Sequence, residues 1–178
     1  MATQTETRTE EAAVFAETRW TRGRLDALAA TVAGRGRATD RDPISVISPA
    51  VDEEIGTIPR LEEAAVDDAI AACREAQTAW ADRSLDERAA VLDRFASLVE
   101  DSWPELIDLI QLETGKSRLD ALEEVIEPPL QADYYAEHGP SLIDDESRTP
   151  AFPLVTTAEV VYEPVGVVGV ISPWNYPL

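Results

Sequence analysis

The sequence predicts an α/β chain: a helical region carrying one β-hairpin, followed by the opening strand of a parallel sheet. Three observations carry that reading. Apolar residues recur at helical spacing through much of residues 22–135. Residues 44–58 read as two short runs of β-branched residues around a turn-rich stretch, Ser48-Pro49-Ala50-Val51-Asp52. Residues 165–171, Val-Gly-Val-Val-Gly-Val-Ile, are apolar without a break, the pattern of a strand covered on both faces.

Taken in order, residues 1–18 lack periodicity, are rich in Thr and Glu, and are expected to form a loose tail. A first helix is expected over 22–32, with Leu25, Leu28, Ala29 and Val32 on one face. Gly34-Arg35-Gly36-Arg37 follows as a flexible exit rather than an anion contact. After the hairpin closes at Pro59, a stripe of Val66, Ile70, Cys73, Ala76 and Trp80 predicts a second helix with these residues inward. Ser84-Leu85-Asp86-Glu87 has the form of a capping box, and Val91, Leu92, Phe95, Leu98 and Val99 are expected to face inward behind it. Ser102-Trp103-Pro104-Glu105 repeats a start signal, so a separate helix is predicted there, with Leu106, Ile107 and Ile110 buried. Gly115 is placed to end it in the left-handed conformation.

A further helix from Arg118 carries Leu119, Leu122, Val125 and Ile126, and Pro128-Pro129 is expected to kink or break it before it resumes over 130–135. Residues 140–153 read as irregular. Residues 158–163 alternate, with Ala158, Val160 and Tyr162 on one face, which predicts a strand with one wet face.

Composition narrows the function classes. The 178 residues are 44 % hydrophobic, enough for a packed core. Fifteen basic residues stand against 35 acidic ones, a net charge of −20. Such a charge repels nucleic acid and anionic membranes, so neither is an expected partner. Lys116 is the only lysine, and strong acidity with almost no lysine points to a high-salt cytosol in which dense salt screens self-repulsion. No apolar run reaches membrane-spanning length and the N-terminus has no secretion signal, so cytoplasmic residence is expected. One cysteine and one histidine cannot build a structural zinc site, and no metal is expected.

Few residues are candidates for chemistry. Cys73 lies on the predicted inward stripe and reads as a small buried hydrophobe rather than a nucleophile. His138 is expected near a helix end, where it can meet the last carbonyls, and no G-x-S-x-G elbow accompanies it. Gly166 and Gly169 lie inside the apolar run and do not form a pyrophosphate-binding turn. Lys116 and Glu113 flank a helix C-terminus and read as structural. Asn175, the only asparagine, differs from these. It follows the predicted buried strand, where open α/β sheets place ligands, and Pro173 and Pro177 restrict its loop. A fixed carboxamide there can donate to a developing oxyanion. A turn asparagine bonded to its own loop is the commoner case, and spacing leaves both readings open.

The segment EPVGVVGVISPWNYPL, residues 163–178, resembles the first cofactor-domain strand and the Pro-Trp-Asn motif of the aldehyde dehydrogenase superfamily. ISVISPAVDEEIGTIP, AIAACREAQTAW, ERAAVLDRFASLVE, LETGKS and DYYAEHG are similar to further family segments, and QTAW, ADYYAEHG and VVGVISPWNYP look closest to succinate-semialdehyde dehydrogenases. The resemblance implies the N-terminal part of the aldehyde dehydrogenase fold, with helices and the start of a Rossmann-type sheet. It implies a loose tail over 1–18, a helical region with a hairpin over 19–156, and an oligomerisation-type strand plus the first sheet strand and loop over 157–178. In the family a thiolate attacks an aldehyde, hydride passes to NAD or NADP, and a glutamate-activated water releases the acid.

By resemblance, Asn175 donates its amide to the tetrahedral oxyanion, and Ile171, Ser172, Pro173, Trp174 and Asn175 line the nicotinamide-ribose side of the cofactor. The expected substrate is a small-molecule aldehyde, with succinate semialdehyde foremost, and the expected assembly is a dimer or tetramer. The family's nucleophilic cysteine and general-base glutamate lie downstream of this motif, so the chain is expected to be an N-terminal fragment, inactive alone. The alternative is a truncated chain that serves only as an assembly or binding partner.

Overall fold

In the computed structural model, Phe15, residues 18–33 and residues 42–178 are described. Of the tail predicted over 1–18, all but Phe15 and Thr18 lie outside them, as do the Gly34–Arg37 exit and the side chain of Val32. The order is α1 (Arg22–Ala33), β1 (Ile44–Ser48), β2 (Glu53–Ile58), α2 (Glu63–Ala81), α3 (Leu85–Thr114), α4 (Arg118–Leu142), β3 (Glu146–Arg148) and β4 (Ala158–Val160).

The frame is an antiparallel pair of long helices. Val99, Ile107 and Ile110 of α3 pack with Ala121 and Val125 of α4, with Leu106 and Leu122 half-buried beside them. Burying side chains of this kind contributes about 1.5–3 kcal/mol each. The hairpin β1–β2 pairs antiparallel with Ile44 opposite Ile58 and a bulge between Val46 and Ile47. Asp52 takes φ 57° in its turn, and its N–H donates to the Ser48 carbonyl at 2.8 Å. Helix α1 lies on β2, and β1 meets α3.

Several local signals act as expected. Ser84 caps α3: the Glu87 N–H donates to Ser84 Oγ at 3.2 Å and the Ser84 N–H donates to Glu87 Oε2 at 2.9 Å. The Ser84 N–H, and the Ser84 hydroxyl that also donates to Glu87 Oε2 at 3.1 Å, with a smaller contribution from Arg83, outweigh burial and hold the Glu87 carboxyl below its ordinary value. Gly115 ends the helix at φ 71°. A Cβ there would sit 3.2 Å from Pro49 Cγ, so the hairpin turn closes over a residue that needs glycine twice.

Other expectations are corrected. No break occurs at residues 102–104, and α3 runs through Pro104. Its buried residues lie on both sides, Ala96 and Val99 before and Ile107 and Ile110 after, and one register against α4 offsets the lost donor. Helix α4 likewise continues through Pro128 and Pro129, with Val125, Pro129 and Ala132 all buried along it, and reaches Leu142. Residues 140–153 are therefore not wholly irregular: α4 takes the first part, and β3 pairs antiparallel with β4, Ser147 opposite Glu159. That pairing is long-range, and a three-residue strand shows no alternation to read.

The predicted strand over 158–163 shortens to Ala158–Val160, with Ala158 and Val160 half-buried and Glu159 exposed as the alternation requires. Residues 165–171 form no strand; Val165 is 91 % and Ile171 98 % exposed. A strand's polar groups are satisfied sideways, and among the described residues none pairs with this run. Cys73 is exposed, as are Val66, Ile70 and Trp80, because among the described residues no element packs closely on that stripe of α2. On α3, Val91, Leu92, Phe95 and Leu98 are exposed and the buried face is Ala96 and Val99. On α4, Leu119 and Ile126 are exposed while Val125 is buried.

Candidate active-site loop and its anchor

The turn between α3 and α4 positions the loop that bears Asn175. Gly115 reverses the chain, Lys116 follows, and Ser117 caps α4 by accepting from the Asp120 N–H at 3.2 Å. Asp108, one turn and a half before the end of α3, ties this turn down from inside. It is 1 % exposed and accepts from Arg118 Nη1 at 2.8 Å and from the Arg19 N–H and Nη1 at 2.9 and 3.0 Å. Burial pushes its carboxyl up, but the bonds from Arg118 and Arg19 outweigh burial and hold it below the ordinary value.

From that turn the Lys116 ammonium reaches two partners. It pairs with Glu124, whose side chain is almost fully buried on α4, and it donates to the Asn175 carbonyl at 2.6 Å. The ring of Tyr176 covers the same ammonium at 4.3 Å, a cation–π contact. The second oxygen of Glu124 accepts the Leu178 N–H at 3.0 Å. The loop also closes on itself, with the Tyr176 N–H donating to the Pro173 carbonyl at 3.3 Å.

Each sequence-predicted site residue can now be placed. Ile171, Ser172, Pro173, Trp174 and Asn175 form one exposed run ahead of and within this turn, with Trp174 91 % exposed. The turn is held by backbone bonds, not by the Asn175 carboxamide. Lys116 and Glu124, which sequence reasoning left structural or unremarked, are the residues that touch the loop. Their signal was the LETGKS segment, read as a helix end without a partner for its cation. His138 lies in the last turns of α4, near the helix end as expected, edge-on to Tyr134 at 4.8 Å.

The loop, the α3–α4 frame and the hairpin together form a known architecture. The aldehyde dehydrogenase family model matches residues 37–178. The chain belongs to the aldehyde dehydrogenase family. A Mycobacterium tuberculosis protein that carries a provisional name as a succinate-semialdehyde dehydrogenase (NADP(+)) is 45 % identical over 122 residues, 68 % of this chain and 24 % of that protein. The succinate-semialdehyde dehydrogenase (NADP(+)) of Deinococcus radiodurans is 36 % identical over 148 residues, 83 % of this chain and 30 % of the relative. The crystal structure of an aldehyde dehydrogenase from Brucella melitensis biovar abortus superposes with a TM-score of 0.74 at 31 % identity, over 79 % of this chain and 29 % of that one. The α/β fold class is thereby that of the N-terminal part of these enzymes. The chain spans about a quarter of the length of the curated Mycobacterium tuberculosis relative.

Proposed function

We propose that this chain supplies the oxyanion-donor loop and one wall of the nicotinamide site of an NADP- or NAD-dependent aldehyde dehydrogenase that oxidises succinate semialdehyde. The observation that carries the proposal is the Asn175 loop: its backbone is anchored by Lys116 and Glu124, while its carboxamide is left exposed. The 45 % and 36 % identity to relatives named for succinate-semialdehyde and NADP(+) supports the substrate and the cofactor.

Asn175 would donate a carboxamide N–H to the aldehyde oxygen as its carbon becomes tetrahedral. A donor of this kind matters because it meets charge that exists only in the transition state. Residues 171–174 fit a nicotinamide-ribose wall: Ile171 and Trp174 present uncovered apolar surface, and Ser172 and the backbone supply polar groups. The dinucleotide, when bound, accepts the hydride. A cysteine thiolate that forms the covalent thioester belongs to the same proposal, and Cys73, out on α2, is not assigned to it. Alone, the 178-residue chain is proposed to have no turnover. The enzyme is proposed to be a cytoplasmic homo-oligomer of a high-salt cell, in line with its charge of −20. Among the described residues no helix is long and apolar enough to cross a membrane.

The test is aldehyde-dependent reduction of NADP and NAD by the full gene product in concentrated KCl, with succinate semialdehyde against butanal. The expected result is a kcat/KM at least about tenfold higher for succinate semialdehyde, the worth of one charge-assisted bond to its carboxylate. No reduction with either aldehyde would overturn the reading; equal rates would remove the substrate assignment.

A further inference from the structure

The Lys116–Glu124 pair takes no part in the chemistry proposed above, yet it is the junction through which the Asn175 loop meets the helices. The Asn175 carbonyl and the Leu178 N–H, at the two ends of the last stretch of chain, bond to Lys116 and Glu124 respectively. Those two side chains form one ion pair, four-fifths or more buried on both sides. Tyr176 caps the ammonium between these two bonds. Pro173 and Pro177 fix their own φ angles on either side. With the backbone so held, the Asn175 carboxamide keeps only its own two side-chain torsions.

Lys116 is also the only lysine in a chain whose 14 other basic residues are arginine. At this point three partners converge from different directions on one compact head. An ammonium, with three rotatable donors, meets that demand; the planar fork of a guanidinium does not.

We propose that Lys116, set by Glu124, is a positioning residue that aims Asn175. Its catalytic consequence rests on the aldehyde dehydrogenase reading; the geometric claim can be tested without it.

Asn175 is the only asparagine, so 15N-asparagine labelling of the 178-residue chain gives one backbone amide signal and one pair of side-chain NH2 signals. The wild type is expected to show Asn175 away from coil positions. Lys116→Met should move it toward them while the methyl-proton dispersion of the chain persists. Because Lys116→Met leaves a buried carboxylate unpaired, the double variant K116M/E124Q is measured beside it, and decides if the single variant unfolds. Asn175 signals that stay at wild-type positions, or that are already coil-like in the wild type, overturn the proposal. Loss of all dispersion in both variants makes the pair a determinant of the fold and likewise overturns it.

In the full gene product, Lys116→Met is expected to lower kcat about 10- to 100-fold, the scale of a misplaced catalytic group. KM for the dinucleotide should stay within about twofold. An unchanged kcat, or a loss confined to KM, removes the positioning role while leaving the enzyme assignment intact. Absence of wild-type aldehyde oxidation, with the Asn175 signal responding as expected, refutes the enzyme assignment and leaves the anchor standing.

Discussion

Replacing Asp108 by asparagine probes the charge that ties α3, α4 and the segment before α1 together. The carboxylate is 1 % exposed and accepts three bonds at 2.8–3.0 Å, two from guanidinium groups and one from a backbone N–H. Hydrogen bonds to charged groups contribute about 1.5–3 kcal/mol each. The two guanidinium side chains are 51 % and 54 % exposed, so they rehydrate when released and their share is reduced by solvent screening. Asparagine still offers one acceptor to the Arg19 N–H. The net loss expected at pH 7 is about 2 kcal/mol, which at a urea slope of about 2 kcal/mol/M moves the midpoint down by about 1 M. The sign of the pH dependence follows from a folded-state pKa held below the unfolded one. The stabilisation is complete above the unfolded value of about 3.9 and disappears as pH falls through the lower folded value. Wild type and variant should therefore converge in strong acid. A gap under about 0.5 kcal/mol at pH 7, or one that stays constant into acid, would refute the reasoning.

Three further outcomes are expected. Ser84→Ala removes the hydroxyl half of the capping box, leaving the backbone N–H bond to Glu87, and should cost about 1 kcal/mol in urea unfolding, with no effect on loop geometry. Gly115→Ala meets φ 71° and a 3.2 Å approach to Pro49 Cγ; a loss of about 1–2 kcal/mol or more is expected, and a neutral result would mean the turn relaxes freely. Raising KCl from about 0.1 to 1 M, which shortens the screening length from about 10 to 3 Å, should raise the Tm of a chain carrying −20 charges; a flat or falling Tm would contradict the self-repulsion argument.

What could be read from sequence was what neighbouring residues decide. The Ser84–Glu87 box, the left-handed Gly115, the hairpin and the core residues Ile107, Ile110 and Val125 all follow from spacing within one or two turns. Propensity misled where packing took over. Pro104 and the Pro128-Pro129 pair stand inside helices because the α3–α4 interface runs past them. Apolar content misled where no partner lies alongside: the 165–171 run and the α2 stripe with Cys73 read as buried, yet both are exposed. Of the candidate site, the lone asparagine, Asn175, and its proline-bounded loop can be picked out in sequence, and its role stays a proposal. The Lys116–Glu124 anchor was not, because it joins residues 59 apart through a carbonyl that carries no side-chain signature.

The measurement closest to the central claim is kcat of the full gene product with Asn175→Ala, assayed with succinate semialdehyde and NADP. The account predicts a fall of about 10²–10³-fold, the loss of one oxyanion donor, with KM for NADP little changed. Turnover equal to wild type would contradict it.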